Sequence, residues 1–150
     1  MNGYTVANYL LAKYINESGI KAPKLKAVIT SSEKLEPNMR QEMEQAYGCK
    51  IFDSYSGNEA CGLISESPEG QLLFSPDTGI MEVVDENLYP IKNGLEGEGI
   101  FTGLLNYNQP LIRYRIGDSI KMSENQNCFG GRQMPVVEDI VGRIEDKVKA

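Results

Sequence analysis

The chain has 150 residues, 41% hydrophobic and 24% charged. That is ordinary usage for one globular domain or part of a larger one, and it excludes a disordered or collagen-like chain. Fifteen Lys and Arg against 21 Asp and Glu give a net charge of −6, which speaks against nucleic acid as partner, since a phosphate-backbone binder needs a basic face. Histidine is absent, so imidazole-based triads, His-built zinc sites and imidazole proton transfer are excluded within these residues.

The opening Met1-Asn2-Gly3-Tyr4 lacks the basic start and apolar run of a signal peptide. No apolar stretch reaches the roughly 18 residues that span a bilayer, so no membrane is expected and the chain reads as soluble and cytoplasmic. Thr5 to Ser18 carries Val6, Leu10 and Tyr14, with Leu11 and Ile15 alongside, at helical spacing, and Gly19 is a natural stop. Leu25 to Thr30, short and β-branched, predicts a strand. A helix follows over Pro37 to Tyr47, with proline in its first turn and Gly48 just past its end. Lys50 to Tyr55 predicts the next strand. Helix, strand, helix, strand is the grammar of a parallel sheet with helical crossovers.

Beyond Gly57 the grammar changes. Glycine and proline recur, and short strands are predicted at Leu72–Ser75, Ile80–Asp85, Gly99–Thr102, Leu111–Ile116 and Ser119–Met122. Such spacing suggests a small antiparallel sheet or barrel beside the α/β part. The fold class is therefore α/β, a parallel-sheet segment followed by a small antiparallel β-subdomain. The expected organisation is an α/β segment over 1–57, a β-rich subdomain over 58–141 and a separate closing run over 142–150. The run Gly142 to Lys149 resembles the start of a further element, so a truncated product is expected. Cys49, Cys61 and Cys128 are odd in number with no CxxC pair, the pattern of free buried thiols in a reducing compartment.

Three segments could carry chemistry. Asp53-Ser54-Tyr55-Ser56-Gly57-Asn58-Glu59 sits where a strand gives way to a loop, the end of a parallel strand at which ligands bind. Tyr55 could stack on a flat base and Glu59 could hold magnesium near phosphates; a turn with a packed tyrosine is the plainer alternative. In Leu111-Ile112-Arg113-Tyr114-Arg115-Ile116-Gly117-Asp118, alternation sets Leu111, Arg113 and Arg115 on one face and Ile112, Tyr114 and Ile116 on the other. Gly117-Asp118 is then expected to turn the chain, and a carboxylate so fixed can accept both vicinal hydroxyls of a ribose; an ordinary hairpin turn has the same composition. In Gly142 to Lys149, Arg143 precedes the acidic pair Glu145 and Asp146, which alone reads as a charged linker or a solvated helix start. Cys128-Phe129-Gly130-Gly131-Arg132 lacks the spacing of a phosphate loop.

In this order, a Tyr-x-x-x-Glu loop, then Tyr-Arg-x-Gly-Asp, then Gly-Arg-x-acidic resembles the adenylate-forming superfamily of acyl-CoA synthetases. The closer resemblance is to its phenylacetate–coenzyme A ligase branch, including relatives linked to capsular polysaccharide biosynthesis. It extends over roughly residues 25 to 149. The strand and loop Leu25 to Leu35, the Gly94-to-Thr102 segment with its Gly-Glu-x-Gly-Glu pattern, and Asn106-Tyr107-Asn108-Gln109-Pro110 before the Arg-Tyr-Arg strand all carry it.

The resemblance implies ATP, magnesium and coenzyme A as cofactors, and a small-molecule carboxylic acid and a nucleotide as partners. It matches Tyr55 to the aromatic on adenine, Glu59 to the acidic residue at magnesium and the phosphates, Asp118 to the carboxylate on the ribose, and Arg143 to the arginine that reaches the nucleotide. Glu145 falls at the interdomain hinge, where the family usually has aspartate. Ser56 and Asn58 stand where most members have glycine and a hydroxyl residue; Asn58 can still donate to a phosphate, and the Tyr-Ser opening resembles the capsule-related branch. The family's Ser/Thr/Gly-rich phosphate loop and its catalytic lysine have no counterpart among these residues, so no catalytic residue is assigned and the chain alone is expected to be inactive. Aromatic and sugar-linked acids stay open, as does a homo-oligomer. The rival reading is a non-catalytic nucleotide-binding or protein-interaction remnant. If Leu25–Thr30 and Lys50–Tyr55 belong to a larger parallel sheet, one of them, with Leu25–Thr30 the thinly protected one, is expected to lie at an unprotected edge.

Overall fold

A computed structural model describes residues 1–145, and these divide into two compact units, Met1–Tyr55 and the residues from Ser56 onward. The class is mixed α/β, parallel first and antiparallel after.

The first unit runs β1 (Asn2–Tyr4), α1 (Thr5–Ser18), β2 (Val28–Ser31), α2 (Pro37–Tyr47) and β3 (Ile51–Ser56). The three strands are parallel, with Gly3 beside Thr30 and Thr30 beside Asp53. Both helices end at left-handed glycines, Gly19 and Gly48, and α2 opens on Pro37. Each of these is a stop or start that costs other residues more. Tyr4, at the N-cap of α1, supplies no side-chain cap. Instead Glu33, from the loop after β2, accepts the Val6 N–H at 2.7 Å, and Thr5 Oγ1 donates to the Glu33 carbonyl at 2.8 Å.

The core of this unit is Ala12, Val28, Met43, Tyr47 and Ile51, with Tyr9, Ile15, Leu35 and Met39 packed on it. The apolar stripe that marks α1 as a helix is not the side it buries. Val6, Leu10 and Tyr14 are 38%, 58% and 59% exposed, whereas Thr5, Asn8 and Ala12 are buried. Tyr47 donates to the Asn8 carbonyl at 2.8 Å, and burial pushes its phenol up, with Cys49 adding to the shift. The expected open edge at Leu25–Thr30 is corrected: β2 lies between β1 and β3, and Val28 is fully buried. Three residues at the start of the chain pair with it, and the Met1 ammonium donates to the Ala27 carbonyl at 2.9 Å.

The second unit is a six-stranded antiparallel sheet in the order β4-β5-β9-β8-β7-β6. Its strands are β4 (Leu63–Glu66), β5 (Leu72–Phe74), β6 (Gly79–Val84), β7 (Glu96–Gly103), β8 (Tyr114–Met122) and β9 (Val136–Arg143). Strands β6 to β9 form successive hairpins, and β9 returns beside β5. Its buried apolar residues include Ile64, Leu73, Ile100, Phe101, Ile120 and Val137, with the Phe74 and Phe101 rings 6.2 Å apart.

Two expectations about β8 are overturned. Gly117-Asp118 does not turn the chain, and the strands predicted on either side of it are one strand. Glu98 pairs with Ser119 and Ile100 with Arg115, so three residues of β8 oppose the single Gly99. This is a bulge, made accessible by the +83° φ of Gly117. The alternation expected from Leu111 holds for Tyr114 and Ile116 but not before them, because the strand begins only at Tyr114. Arg113 sits at φ +46° and Ile112 is 75% exposed. Arg113 is held there by Thr102 Oγ1, which accepts its N–H at 2.9 Å, and by Glu82 and the Leu88 carbonyl, which accept from its guanidinium.

Candidate nucleotide-binding site

The bulge in β8 positions the most buried of the candidate residues. A bulged strand bends and re-aims the side chain beside the extra residue, and here that side chain is Asp118, only 8% exposed. Its register partner on β9 is Arg143. Arg143 Nε lies 3.2 Å from Asp118 Oδ1, and Arg143 Nη1 donates to the Ile116 carbonyl at 2.8 Å. The Ile144 N–H donates to the Gly117 carbonyl at 2.9 Å and closes the ladder beyond the bulge. Two residues 25 positions apart in sequence thus form one charged pair. Gly142 and Arg143 complete β9 rather than opening a helix or linker.

Glu59 lies in the loop between β3 and β4. The Ala60 N–H donates to the Gly57 carbonyl at 3.1 Å, with Ala60 at φ +52°, and Ser56 Oγ donates to the Gly62 carbonyl at 3.1 Å. A Cβ on Gly57 would collide with the Glu59 carboxylate and come within 2.9 Å of Ile116 Cδ1. Tyr114 Oη donates to Glu59 Oε1 at 3.1 Å, a bond that pushes the Tyr114 phenol above its ordinary value. Burial pushes the neighbouring Cys61 thiol up, and Glu59 adds to the shift. Asn58 is exposed in the same loop.

Tyr55 lies on β3 at the end of the first unit, partly buried. Just before it, the Ser54 N–H donates to Asp53 Oδ1 at 2.9 Å. Glu145 follows β9 as an exposed turn residue, and Asp146, Lys147 and Lys149 of the same motif lie outside the described residues. Arg115 makes a two-pronged contact with Glu98, at 2.9 and 2.6 Å, and pins β8 to β7 just before the bulge. All three cysteines are free, and Cys61 alone of them is fully buried. No helix among the described residues is long and apolar enough to cross a membrane.

Sequence reasoning did not single out Tyr114, although it lies inside the Arg-Tyr-Arg strand. The sequence set it two residues before Ile116, on the same face of the strand, but carried no signal for its partner Glu59.

Parallel strands leading into an antiparallel subdomain make up the fold of one segment of the adenylate-forming acyl- and aryl-CoA ligases. Among solved structures, the chain is similar to 2-hydroxyisobutyryl-CoA ligase in complex with 2-HIB-AMP and CoA, with 28% identity and a TM-score of 0.83 over 99% of this chain and 37% of that one. It also shares its fold with an anthranilate CoA ligase in complex with anthranoyl-AMP, at 14% identity and a TM-score of 0.74, over 99% of this chain and 30% of that one. The protein CapK of Staphylococcus aureus is 30% identical over 97% of this chain and 31% of its own length. The chain thus spans about a third of the length of the relatives it matches. No family model matches it.

Proposed function

We propose that these residues form the nucleotide-holding segment of an ATP-dependent acid–CoA ligase, resembling the phenylacetate and capsule-related branch. In that reaction a carboxylate oxygen attacks the α-phosphorus of ATP in line. A phosphorus–oxygen bond to the acid forms as the bond to pyrophosphate breaks, and the thiol of coenzyme A then displaces AMP from the acyl-adenylate. The observation that carries the reading is the bulge-set carboxylate of Asp118 beside Arg143.

Asp118 accepts the ribose hydroxyls, and Arg143, whose charge offsets the aspartate, reaches the nucleotide from the same side. Tyr55 takes the adenine face, Asn58 donates to a phosphate, and Glu145, just after β9, serves an interdomain hinge. Such a reaction asks for charge stabilisation more than for a general base, so the absence of histidine is no obstacle.

Magnesium fits this arrangement in one way. Among the described residues no cluster of three or more His, Cys, Asp or Glu could cage a metal. Magnesium, however, is commonly held by one or two carboxylates together with substrate phosphates. Glu59 would be that carboxylate, and the ion would supply charge neutralisation at the phosphates.

The test is titration of the 150-residue chain with AMP, followed by amide NMR. Binding on the order of millimolar is expected, with shifts centred on Gly117–Ser119 that disappear in Asp118→Ala. Shifts that persist unchanged in that variant would overturn the assignment.

A further inference from the structure

We infer that Tyr114 is a positioning residue that acts through Glu59, holding one carboxylate oxygen so that the other is presented to a phosphate-bound divalent cation. The inference rests on the placement of Glu59 proposed above and adds what fixes its direction.

A glutamate in an exposed loop has three rotatable bonds, and its carboxylate ordinarily samples many positions. Here a hydrogen bond, a turn and the absence of a Cβ on Gly57 limit that freedom. The hydroxyl of Tyr114 donates to Oε1 at 3.1 Å. The other oxygen, Oε2, lies against Gly57, where it and Ile116 Cδ1, from the same face of β8, fill the space a Cβ would need. The Ala60-to-Gly57 turn then folds the loop back so that the Glu59 side chain lies over the glycine. β8 therefore orders both halves of the site. Before its bulge it presents Tyr114 and Ile116 to the Glu59 loop, and at the bulge it presents Asp118 to Arg143.

A phenol suits the task. It donates one hydrogen bond without bringing a positive charge that would compete with a cation, whereas lysine or arginine there would neutralise the carboxylate.

The experiment uses the 150-residue chain with AMP in excess and manganese(II) as a paramagnetic probe, read as line broadening of the Asn58–Cys61 amides. Glu59→Gln should abolish the broadening. Tyr114→Phe should shift its midpoint to about 3- to 10-fold more manganese, the worth of one hydrogen bond, while amides of β6 and β7 keep their positions. Glu59→Asp, one methylene short of the phenol but still a carboxylate, should show a loss of the same size, and it serves as the probe if Tyr114→Phe does not fold. Broadening that survives Glu59→Gln would overturn the cation placement and the positioning built on it. Broadening lost in Glu59→Gln but unchanged in Tyr114→Phe or Glu59→Asp would overturn the positioning role alone.

Discussion

Gly117→Ala tests the bulge on which the second unit depends. Gly117 has φ +83°, a region where an L-residue costs about 1–2 kcal/mol. The added Cβ would also stand 3.3 Å from Arg143 Nη1, tight enough that the guanidinium must move. Displacing it loosens the bond to the Ile116 carbonyl and the pair with Asp118. The Arg143 side chain is 60% exposed, so that part adds at most about 1 kcal/mol. A total of about 1–3 kcal/mol corresponds to a fall of about 5–15 °C in the melting temperature of a unit of this size. Differential scanning calorimetry, with amide NMR to tell the two units apart, reads it directly. Gly117→Asn should lose less, because asparagine tolerates the left-handed region better. A Gly117→Ala chain melting within a degree or two of the wild type would refute the claim that the bulge requires glycine.

Glu33→Ala removes the acceptor that the loop after β2 gives to the first turn of α1, so the first unit should lose about 1 kcal/mol in urea denaturation. An unchanged midpoint would count against a capping role. Burial raises the Tyr47 phenol, so its neutral form contributes fully below the unfolded value of about 10 and that contribution is lost as pH rises through the higher folded value. Stability of the first unit should therefore fall more steeply above pH 10 in the wild type than in Tyr47→Phe, and parallel curves would contradict this. ATP–pyrophosphate exchange by the 150-residue chain should stay at the level of a boiled control with aryl and alkyl acids, since single electrostatic groups are worth about 10²–10³ each and neither a phosphate loop nor the family's lysine is among these residues. Clear exchange would sink that expectation.

Both helices were legible to the residue because their ends are written in local chemistry: Gly19 after α1, Pro37 at the start of α2 and Gly48 after it. Three strands escaped notice, β1, β4 and β9; β4 is a four-residue strand held by its pairing with β5. β1 is three residues long and exists by pairing with β2. β9 contains Glu138 and Asp139, which break an apolar run, and Glu138 is matched by Lys121 across the sheet at 2.6 Å. Gly117-Asp118 has the composition of a turn and of a bulge alike, and only the register of β7 and β9 on either side decides between them. The candidate residues could be picked out by the order of three motifs. The pairing of Asp118 with Arg143, and of Tyr114 with Glu59, could not, because both depend on that irregular register and on a loop folded over Gly57. Likewise the buried side of α1 follows Ala12 and Asn8 rather than its most apolar stripe.

The central claim is that Asp118 reads the ribose of an adenine nucleotide. The direct measurement is an NMR titration of the 150-residue chain with AMP and, in parallel, with 2′,3′-dideoxy-AMP, which keeps base and phosphate but lacks both hydroxyls. Two charge-assisted hydrogen bonds of about 1.5–3 kcal/mol each separate the ligands, so AMP should shift the Gly117–Ser119 amides at millimolar concentration and the dideoxy compound should leave them in place. Equal shifts with both ligands would contradict the claim.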